Sequence, residues 1–179
     1  MLLSASTQLQ SLDRGIVPIL GDGNCLFRAL SKLTYGSEEW HSFMRQTLVE
    51  FVSLNREVFQ SYCTEDITDH LSKMKHDRRW GTHVELQAAA SLLKLPVYVY
   101  KQKNGSGDYY WEIFTPLKEP LNLPESFIEK PRGVDHYEIC HTLGCHYDII
   151  TLGDGLRPTE PPPPYSETTQ LLRDLIPSI

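Results

Sequence analysis

A cysteine, a histidine and an aspartate have the types and local context that nucleophilic chemistry requires. Cys25 follows a glycine-rich turn and opens a segment with helical periodicity, which predicts a thiol at a helix start. Unpaired N–H groups at a helix start carry partial positive charge, so we expect them, with a nearby histidine, to lower the pKa of this thiol. Far downstream, His146 precedes Asp148 by two residues. Together they predict the nucleophile, general base and orienting acid of a cysteine hydrolase.

The turn before Cys25 has the composition of a loop that binds an oxyanion. Gly21 and Gly23 allow successive backbone N–H groups to point at one place. We assign this role to the N–H of Cys25 and to those of the loop from Asp22 to Asn24. Asp22 either takes part in catalysis or orders the turn by accepting N–H bonds. Asn24 either shapes the same loop or caps the helix.

Two other histidines compete with His146 for the role of general base. His141 could lie across a hairpin from His146, because the two residues flank a turn near Gly144. His136 lies further upstream in the same region. Asp148 favours His146, since residues two apart on a strand point to the same face. Its carboxylate could then fix the imidazole tautomer and offset the charge of the imidazolium.

Four possible metal ligands also occur in this stretch, in the pairs Cys140–His141 and Cys145–His146. Their spacing falls slightly outside the usual Cys-x2-4-Cys pattern of zinc sites, and no second pair exists elsewhere. Neighbouring residues on a strand also point to opposite faces. We therefore expect no metal, and the hydrolase chemistry requires no organic cofactor.

Helical periodicity dominates the first half of the chain. The helix that begins at Cys25 is predicted to end at Gly36, and Ser37 is a candidate cap for a long second helix. Thr64 is a candidate cap for a shorter helix, and residues 1–15 could form a short helix or an arm. A capping box is predicted where a further helix starts, at Thr82 and Glu85.

Strand patterns follow these helices. They occur at residues 97–100, 109–115, 136–142 and 146–152, whereas the proline-rich residues 116–134 are predicted to be irregular. Helices followed by strands predict an α+β fold, in which a small, mostly antiparallel sheet is packed between helices.

The composition is typical of a soluble globular domain. The chain has 179 residues, of which 40% are hydrophobic and 22% charged, with a formal net charge of -6. This charge, and the lack of a basic stripe, argue against nucleic acid as the main partner. No apolar run approaches the roughly 18 to 20 residues of a membrane span, and no signal peptide is evident. We expect a cytoplasmic monomer with reduced cysteines.

Three sequence blocks resemble the OTU (ovarian tumour) family of cysteine proteases. Residues 22–28, with the sequence DGNCLFR, are similar to its nucleophile motif. Residues 80–88, WGTHVELQA, are similar to its second block, although Thr82 stands where many relatives have a second glycine. Residues 146–149, HYDI, are similar to the block that contains its catalytic histidine. The blocks occur in the family's order.

The resemblance implies a papain-like α+β fold and hydrolysis of isopeptide bonds made by the C-terminus of ubiquitin. It implies ubiquitin or polyubiquitin as the partner, with a ubiquitin-like modifier as an alternative. It also implies that Asp22 is drawn into the catalytic site or its oxyanion loop. An inactive ubiquitin-binding or scaffold module with the same fold is the other hypothesis, and the intact Cys25, His146 and Asp148 argue against it.

The composition changes near the C-terminus, which predicts a protease domain at 1–153 and a proline-rich tail at 154–179. The tail contains a match to the Pro-Pro-x-Tyr pattern that WW domains bind, formed by Pro162, Pro163, Pro164 and Tyr165. A preformed polyproline segment docks into an aromatic groove at low entropic cost. The match predicts a WW-domain partner, and a plain linker is the alternative.

Overall fold

The computed structural model describes residues 4–103, 108–125, 128–142 and 144–152. The helices in this part of the chain are α1 (Ala5–Gln10), α2 (Cys25–Tyr35), α3 (His41–Leu54), α4 (Arg56–Phe59), α5 (Ile67–Met74) and α6 (His83–Leu93). The strands are β1 (Arg14–Val17), β2 (Val97–Gln102), β3 (Tyr109–Phe114), β4 (Tyr137–Thr142) and β5 (His146–Leu152). The proposed tail at 154–179, with its Pro-Pro-Pro-Tyr motif, lies outside the described residues.

The described strands form a sheet with the order β1-β5-β4-β2-β3. Neighbouring strands are antiparallel except for β2 and β4, which are parallel. In the β4–β5 register, Cys140 lies opposite Asp148 and Thr142 lies opposite His146. His146 and Asp148 therefore share one face of β5, as predicted from their spacing.

Apolar side chains pack on both faces of the sheet, because successive strand residues point to opposite sides. Val99 and Ile139 belong to the larger core, which also contains the buried faces of α2, α3 and α6. Tyr100 faces the other way into a smaller core with Ala5 and Leu9 of α1. Helices thus cover both faces of a mostly antiparallel sheet, which confirms the predicted α+β class.

Local caps set the ends of the two helices on which the site depends. Gly36 ends α2 in the left-handed conformation with a φ of 77°, as predicted. Thr82 and Glu85 form the predicted capping box at the start of α6, with both reciprocal hydrogen bonds present. The end of α2, which bears Cys25, and the start of α6 are therefore both fixed by local capping contacts.

Other boundaries differ from the predictions. Ser37 caps only a 3₁₀ turn, and the long helix α3 begins later, at His41. Asp66 rather than Thr64 caps α5, because its carboxylate accepts the N–H of Thr68. The N-terminal region contains both the short helix α1 and the edge strand β1, which was too short to be recognised as a strand.

No helix in the described ranges combines the length and the apolar character that crossing a membrane requires.

Candidate active site

Cys25 is the first residue of α2, as the sequence predicted. Asn24 occupies the N-cap position, but its side chain makes no capping hydrogen bond to the helix. The first N–H groups of α2 therefore remain open, and those of Cys25 and Leu26 act on the thiol together with the N–H of Tyr147. The Cys25 sulfur lies 3.9 Å from the carbonyl oxygen of Cys145, immediately before β5.

Burial raises the pKa of the Cys25 thiol above its ordinary value. The residue is only 4% exposed, and loss of solvent disfavours the charged thiolate. The N–H groups of Tyr147 and of the first turn of α2 act in the opposite direction, and the negative charge of Asp148 adds to the increase. The predicted lowering of this pKa is therefore wrong, because desolvation outweighs the helix start.

His146 and Asp148 form the predicted imidazole–carboxylate pair. His146 Nε2 lies 2.9 Å from Asp148 Oδ1. The backbone N–H of Ile19 donates to the same carboxylate oxygen at 2.9 Å, which fixes the position of Asp148. Since a carboxylate can only accept a hydrogen bond, this contact selects the ring tautomer with its proton on Nε2 and its lone pair on Nδ1. This tautomer suits a general base.

Two sets of contacts place the imidazole and the thiol in the same neighbourhood. A Cβ atom built on Gly21 would lie 3.5 Å from Cε1 and 3.6 Å from Nδ1 of His146, so the ring packs against the loop that leads to Cys25. The Cys25 sulfur lies beside Cys145 and Tyr147, the two residues that flank His146. The fold thus brings the Cys25 thiol beside Cys145, which lies 120 residues later in the sequence and immediately precedes His146.

Asp22 orders the turn that precedes the nucleophile. Its Oδ1 accepts the backbone N–H of Asn24 at 2.9 Å, and Arg28 donates to Oδ2 at 2.7 Å. The hydrogen bond from Arg28 holds the pKa of the Asp22 carboxyl well below its usual range. These contacts favour the turn-ordering alternative for Asp22 over a direct part in the chemistry.

The predicted set of oxyanion donors requires one correction. The N–H of Asn24 already donates to Asp22, which leaves the N–H of Cys25 and those of the two residues before Asn24. The Asn24 side chain does not cap α2, because its Oδ1 accepts the N–H of Arg78 at 3.0 Å and a guanidinium N–H of Arg45 at 2.6 Å. The helix-capping alternative for Asn24 is wrong, and these contacts favour the loop-shaping alternative.

The segment before α6 packs directly on the nucleophile loop. Gly23 has a φ of 85°, and a Cβ there would collide with the carbonyl oxygen of Arg78. A Cβ at Gly81 would collide with the buried side chain of Leu26. Trp80, the residue before Gly81, is 58% exposed. The segment before α6 therefore supports the nucleophile loop through the close approach of Gly23 to Arg78 and of Gly81 to Leu26.

The competing histidines have other partners. The His141 ring stacks on Tyr147 with centroids 4.5 Å apart, and burial lowers its pKa. His136 bonds to the buried carboxylate of Glu138, with 3.1 Å between Nε2 and Oε1. Of the three candidates, His146 is the one whose ring packs against the loop that carries the nucleophile.

The possible zinc ligands do not form a ligand set in the structure. Cys140 is fully buried, and burial raises the pKa of its thiol to about 12, which disfavours the thiolate that zinc binds. Across the residues that the structure describes, no group of three or more His, Cys, Asp and Glu side chains is arranged to hold a metal ion.

Three supporting contacts of the site were not predicted from the sequence. Arg28 follows Asp22 by six residues and belongs to the nucleophile block, so its pairing with that acid could have been proposed. The N–H of Ile19 and the guanidinium of Arg45 come from other elements. No local pattern marks these two contacts, because they depend on tertiary packing.

Comparison with known proteins identifies the family. The family profile described as OTU-like cysteine protease matches residues 20–147, which include Cys25 and His146. The chain belongs to this family. Asp148 lies immediately after the matched range, so its assignment as the third residue depends on its contact with His146.

Curated OTU proteins are similar to parts of the chain. OVARIAN TUMOR DOMAIN-containing deubiquitinating enzyme 9 of Arabidopsis thaliana is 44% identical over 81 residues, which cover 45% of this chain and 24% of that protein. OTU domain-containing protein 5 of Homo sapiens is 30% identical over 139 residues, which cover 75% of this chain and 23% of that protein. The chain thus spans about a quarter of the length of these relatives.

A solved structure has the same fold. The structure of an ovarian tumor (OTU) domain in complex with ubiquitin superposes with a TM-score of 0.60 at 18% identity. The match covers 89% of this chain and 83% of that chain. This similarity confirms the predicted papain-like OTU fold.

Proposed function

We propose that the chain is a deubiquitinase that hydrolyses isopeptide bonds at the C-terminus of ubiquitin. The observation that carries the proposal is the Cys25 sulfur beside the strand that bears the His146–Asp148 pair. Membership of the OTU-like cysteine proteases supports the reaction type. The relative named as a deubiquitinating enzyme and the OTU domain solved with ubiquitin support the substrate.

The first half of the proposed reaction forms a thioester. Because burial raises the pKa of Cys25, His146 Nδ1 removes the thiol proton as the sulfur attacks the carbonyl carbon of the C-terminal glycine of ubiquitin. The N–H groups of Cys25 and of the two residues before Asn24 stabilise the oxyanion. The tetrahedral intermediate then collapses, and His146 gives its proton to the departing lysine amine.

The second half hydrolyses the thioester. His146 removes a proton from water as the water oxygen attacks the acyl carbon, and the Cys25 thiolate leaves and regains that proton. The products are the free carboxylate of ubiquitin and the original thiol. Asp148 orients the ring throughout and stabilises the imidazolium that forms in each half. No step needs a metal or an organic cofactor.

A ubiquitin-binding module without activity is the second candidate, and the raised pKa of the buried Cys25 thiol is the observation that favours it. A ubiquitin probe with an electrophilic C-terminus separates the two. We expect covalent labelling of the wild-type protein and none of Cys25→Ala. Tight but only non-covalent binding by the wild-type protein would support the module instead.

The substrate is tested with a panel of differently linked di-ubiquitins and with conjugates of ubiquitin-like modifiers. Wild type, Cys25→Ala and His146→Ala are compared on each substrate. We expect the wild-type protein to cleave at least one di-ubiquitin and the two variants to cleave none. Cleavage confined to another modifier would keep the mechanism and replace the partner.

We also propose that residues 1–153 form the protease domain and that the tail at 154–179 recruits a WW-domain protein through Pro162, Pro163, Pro164 and Tyr165. Equal activity of a 1–153 fragment and the full chain on di-ubiquitin tests the boundary. A peptide of residues 157–170, with and without Tyr165→Ala, tests the WW ligand. Equal binding of both peptides to WW domains would contradict it.

A cytoplasmic location and a monomeric state complete the proposal. The composition and the sparse cysteines support a reducing compartment. Subcellular fractionation tests the location, and analytical ultracentrifugation tests the monomeric state.

A further inference from the structure

Arg45 is a buried cation close to the nucleophile that the proposed reaction does not use. It lies in α3 and is 3% exposed. Across the described ranges of the chain, no carboxylate forms an ion pair with its guanidinium. Burying a charge without an opposite charge is costly, so the hydrogen bonds of this side chain must compensate.

The guanidinium of Arg45 connects three separate segments. Its NH2 donates to Asn24 Oδ1 at 2.6 Å and to the carbonyl oxygen of Arg79 at 2.7 Å. Its NH1 donates to the carbonyl oxygen of Met74 at 3.2 Å. The guanidinium carbon lies 3.8 Å from the centre of the Phe27 ring, so one face of the planar guanidinium packs on this ring. One side chain therefore ties α3 to the nucleophile loop and to the segment before α6.

The bond to Asn24 is transmitted to the turn before the nucleophile. Asn24 Oδ1 also accepts the N–H of Arg78 at 3.0 Å, and Asn24 Nδ2 donates to Asp22 at 3.2 Å. Asp22 in turn accepts the backbone N–H of Asn24. This chain of hydrogen bonds fixes the peptide planes between Asp22 and Cys25, which carry the N–H groups of Gly23 and Cys25.

We propose that Arg45 is a positioning residue that keeps the oxyanion-binding loop in its productive conformation. The inference rests on the proposed function. Arg45 donates a hydrogen bond to Asn24, and Arg28 donates one to Asp22, so two arginines hold neighbouring parts of the loop. Its guanidinium also interacts electrostatically with Cys25, so its positive charge favours negative charge at the reacting centre.

The first test compares cleavage of a ubiquitin substrate by Arg45→Met, Arg45→Lys and Asn24→Ala. We expect kcat to fall by about 10- to 100-fold in each, with KM within about threefold of wild type, because misplaced donors weaken the transition state. Lysine keeps the positive charge but lacks the planar guanidinium with its several N–H donors, so kcat of Arg45→Lys should stay below that of wild type. Arg14→Met is the matched control, since Arg14 is also buried but pairs with Glu138 away from the loop.

The second control is Asn55→Ala, because the buried Asn55 also accepts a long-range backbone N–H, from Asn122, but lies outside the site. Hydrogen exchange is measured at the amides of residues 22–25. We expect faster exchange in Arg45→Met and Asn24→Ala, and wild-type exchange in both controls.

Loss of kcat in Arg45→Met no greater than in Arg14→Met, or unchanged exchange at residues 22–25, would overturn the inference. If Arg45→Met does not fold, the kcat and exchange of Asn24→Ala decide the test, because this variant removes the acceptor of the hydrogen bond from Arg45. A wild-type protein that does not cleave ubiquitin contradicts the proposed function, and the exchange measurement still tests the loop.

Discussion

The chain contains the same short pattern twice, as His136-Tyr137-Glu138 and as His146-Tyr147-Asp148. In each, the imidazole Nε2 bonds to the carboxylate two residues later, at 3.1 Å in the first pair and 2.9 Å in the second. The strands β4 and β5 are neighbours, and both pairs occupy the same face of the sheet. By local geometry, either pair could orient a general base.

Their surroundings differ. Arg14 reaches Glu138 with two guanidinium hydrogen bonds, at 2.7 and 3.0 Å, so that carboxylate is fully engaged in the interior. Asp148 instead receives one backbone N–H, from Ile19. The side chain of His146 is 25% exposed, whereas that of His136 is 4% exposed.

Two histidine–carboxylate pairs with the same local geometry thus differ in the group that lies beside them, and this group separates a structural pair from the proposed catalytic pair. Beside the first pair, the ion pair of Arg14 with Glu138 connects β1 to β4. A nucleophile loop beside the second pair leaves the ring free to exchange a proton with a thiol. The predictions below test this difference, from the largest expected effect to the smallest.

His146→Ala should reduce kcat/KM on a ubiquitin substrate by about 10³- to 10⁴-fold, because the reaction loses its proton acceptor and donor. His136→Ala should change kcat/KM by less than about threefold once both proteins are folded. Steady-state kinetics measures both values. Similar losses in the two variants would remove the distinction between the pairs.

Glu138→Gln should destabilise the fold by about 3–5 kcal/mol, because it removes the buried carboxylate that forms an ion pair with the Arg14 guanidinium. Asp148→Asn should cost about 1–2 kcal/mol, since it alters hydrogen bonds without breaking a buried ion pair with an arginine. Urea unfolding compares the two variants with wild type. A larger loss for Asp148→Asn would reverse the proposed structural and catalytic roles.

Gly23→Ala should lower kcat by more than about tenfold, because a side chain there collides with the carbonyl oxygen of Arg78 and disfavours the φ of 85°. Gly21→Ala is the matched control, since its Cβ would lie at an ordinary contact distance of 3.5 Å from His146. We expect Gly21→Ala to retain kcat within about threefold. Kinetics on a ubiquitin substrate measures both, and equal effects would contradict the assigned loop geometry.

The smallest expected effect concerns the thiolate fraction of Cys25 in the protein without substrate. Because burial raises the pKa of this thiol, its thiolate fraction should stay low at pH 7 and increase only above the ordinary cysteine pKa of about 8.5. The rate of alkylation by iodoacetamide follows this fraction. Wild type and His146→Ala should have similar profiles, whereas a plateau near neutral pH in wild type alone would indicate a preformed ion pair.

Much of the site could be predicted because its signals are local. Cys25 follows a glycine-rich turn, and Asp148 follows His146 at the spacing that places both on one strand face. The capping box at Thr82 and Glu85 is likewise encoded within four residues. These features need only the neighbouring sequence to form.

The tyrosine and acid that follow His146 do not by themselves distinguish it from His136, because His136 also precedes a tyrosine and an acid. The deciding contacts come from distant segments: Arg14 lies 124 residues from Glu138, and Ile19 lies 129 residues from Asp148. The sign of the Cys25 pKa shift was missed for the same reason. The burial that raises the pKa of Cys25 depends on the assembled core, whereas the helix start that lowers it can be recognised in the sequence.

The pairing of β1 with β5 has a consequence for how the protein is made. As the chain leaves the ribosome, β1 emerges early and has no sheet partner until β5 follows near the end of the described sequence. The thiol at position 25 is therefore synthesised long before its imidazole partner. At that stage the contact between the loop of Cys25 and the ring of His146 cannot exist, since it forms only when β5 enters the sheet between β1 and β4.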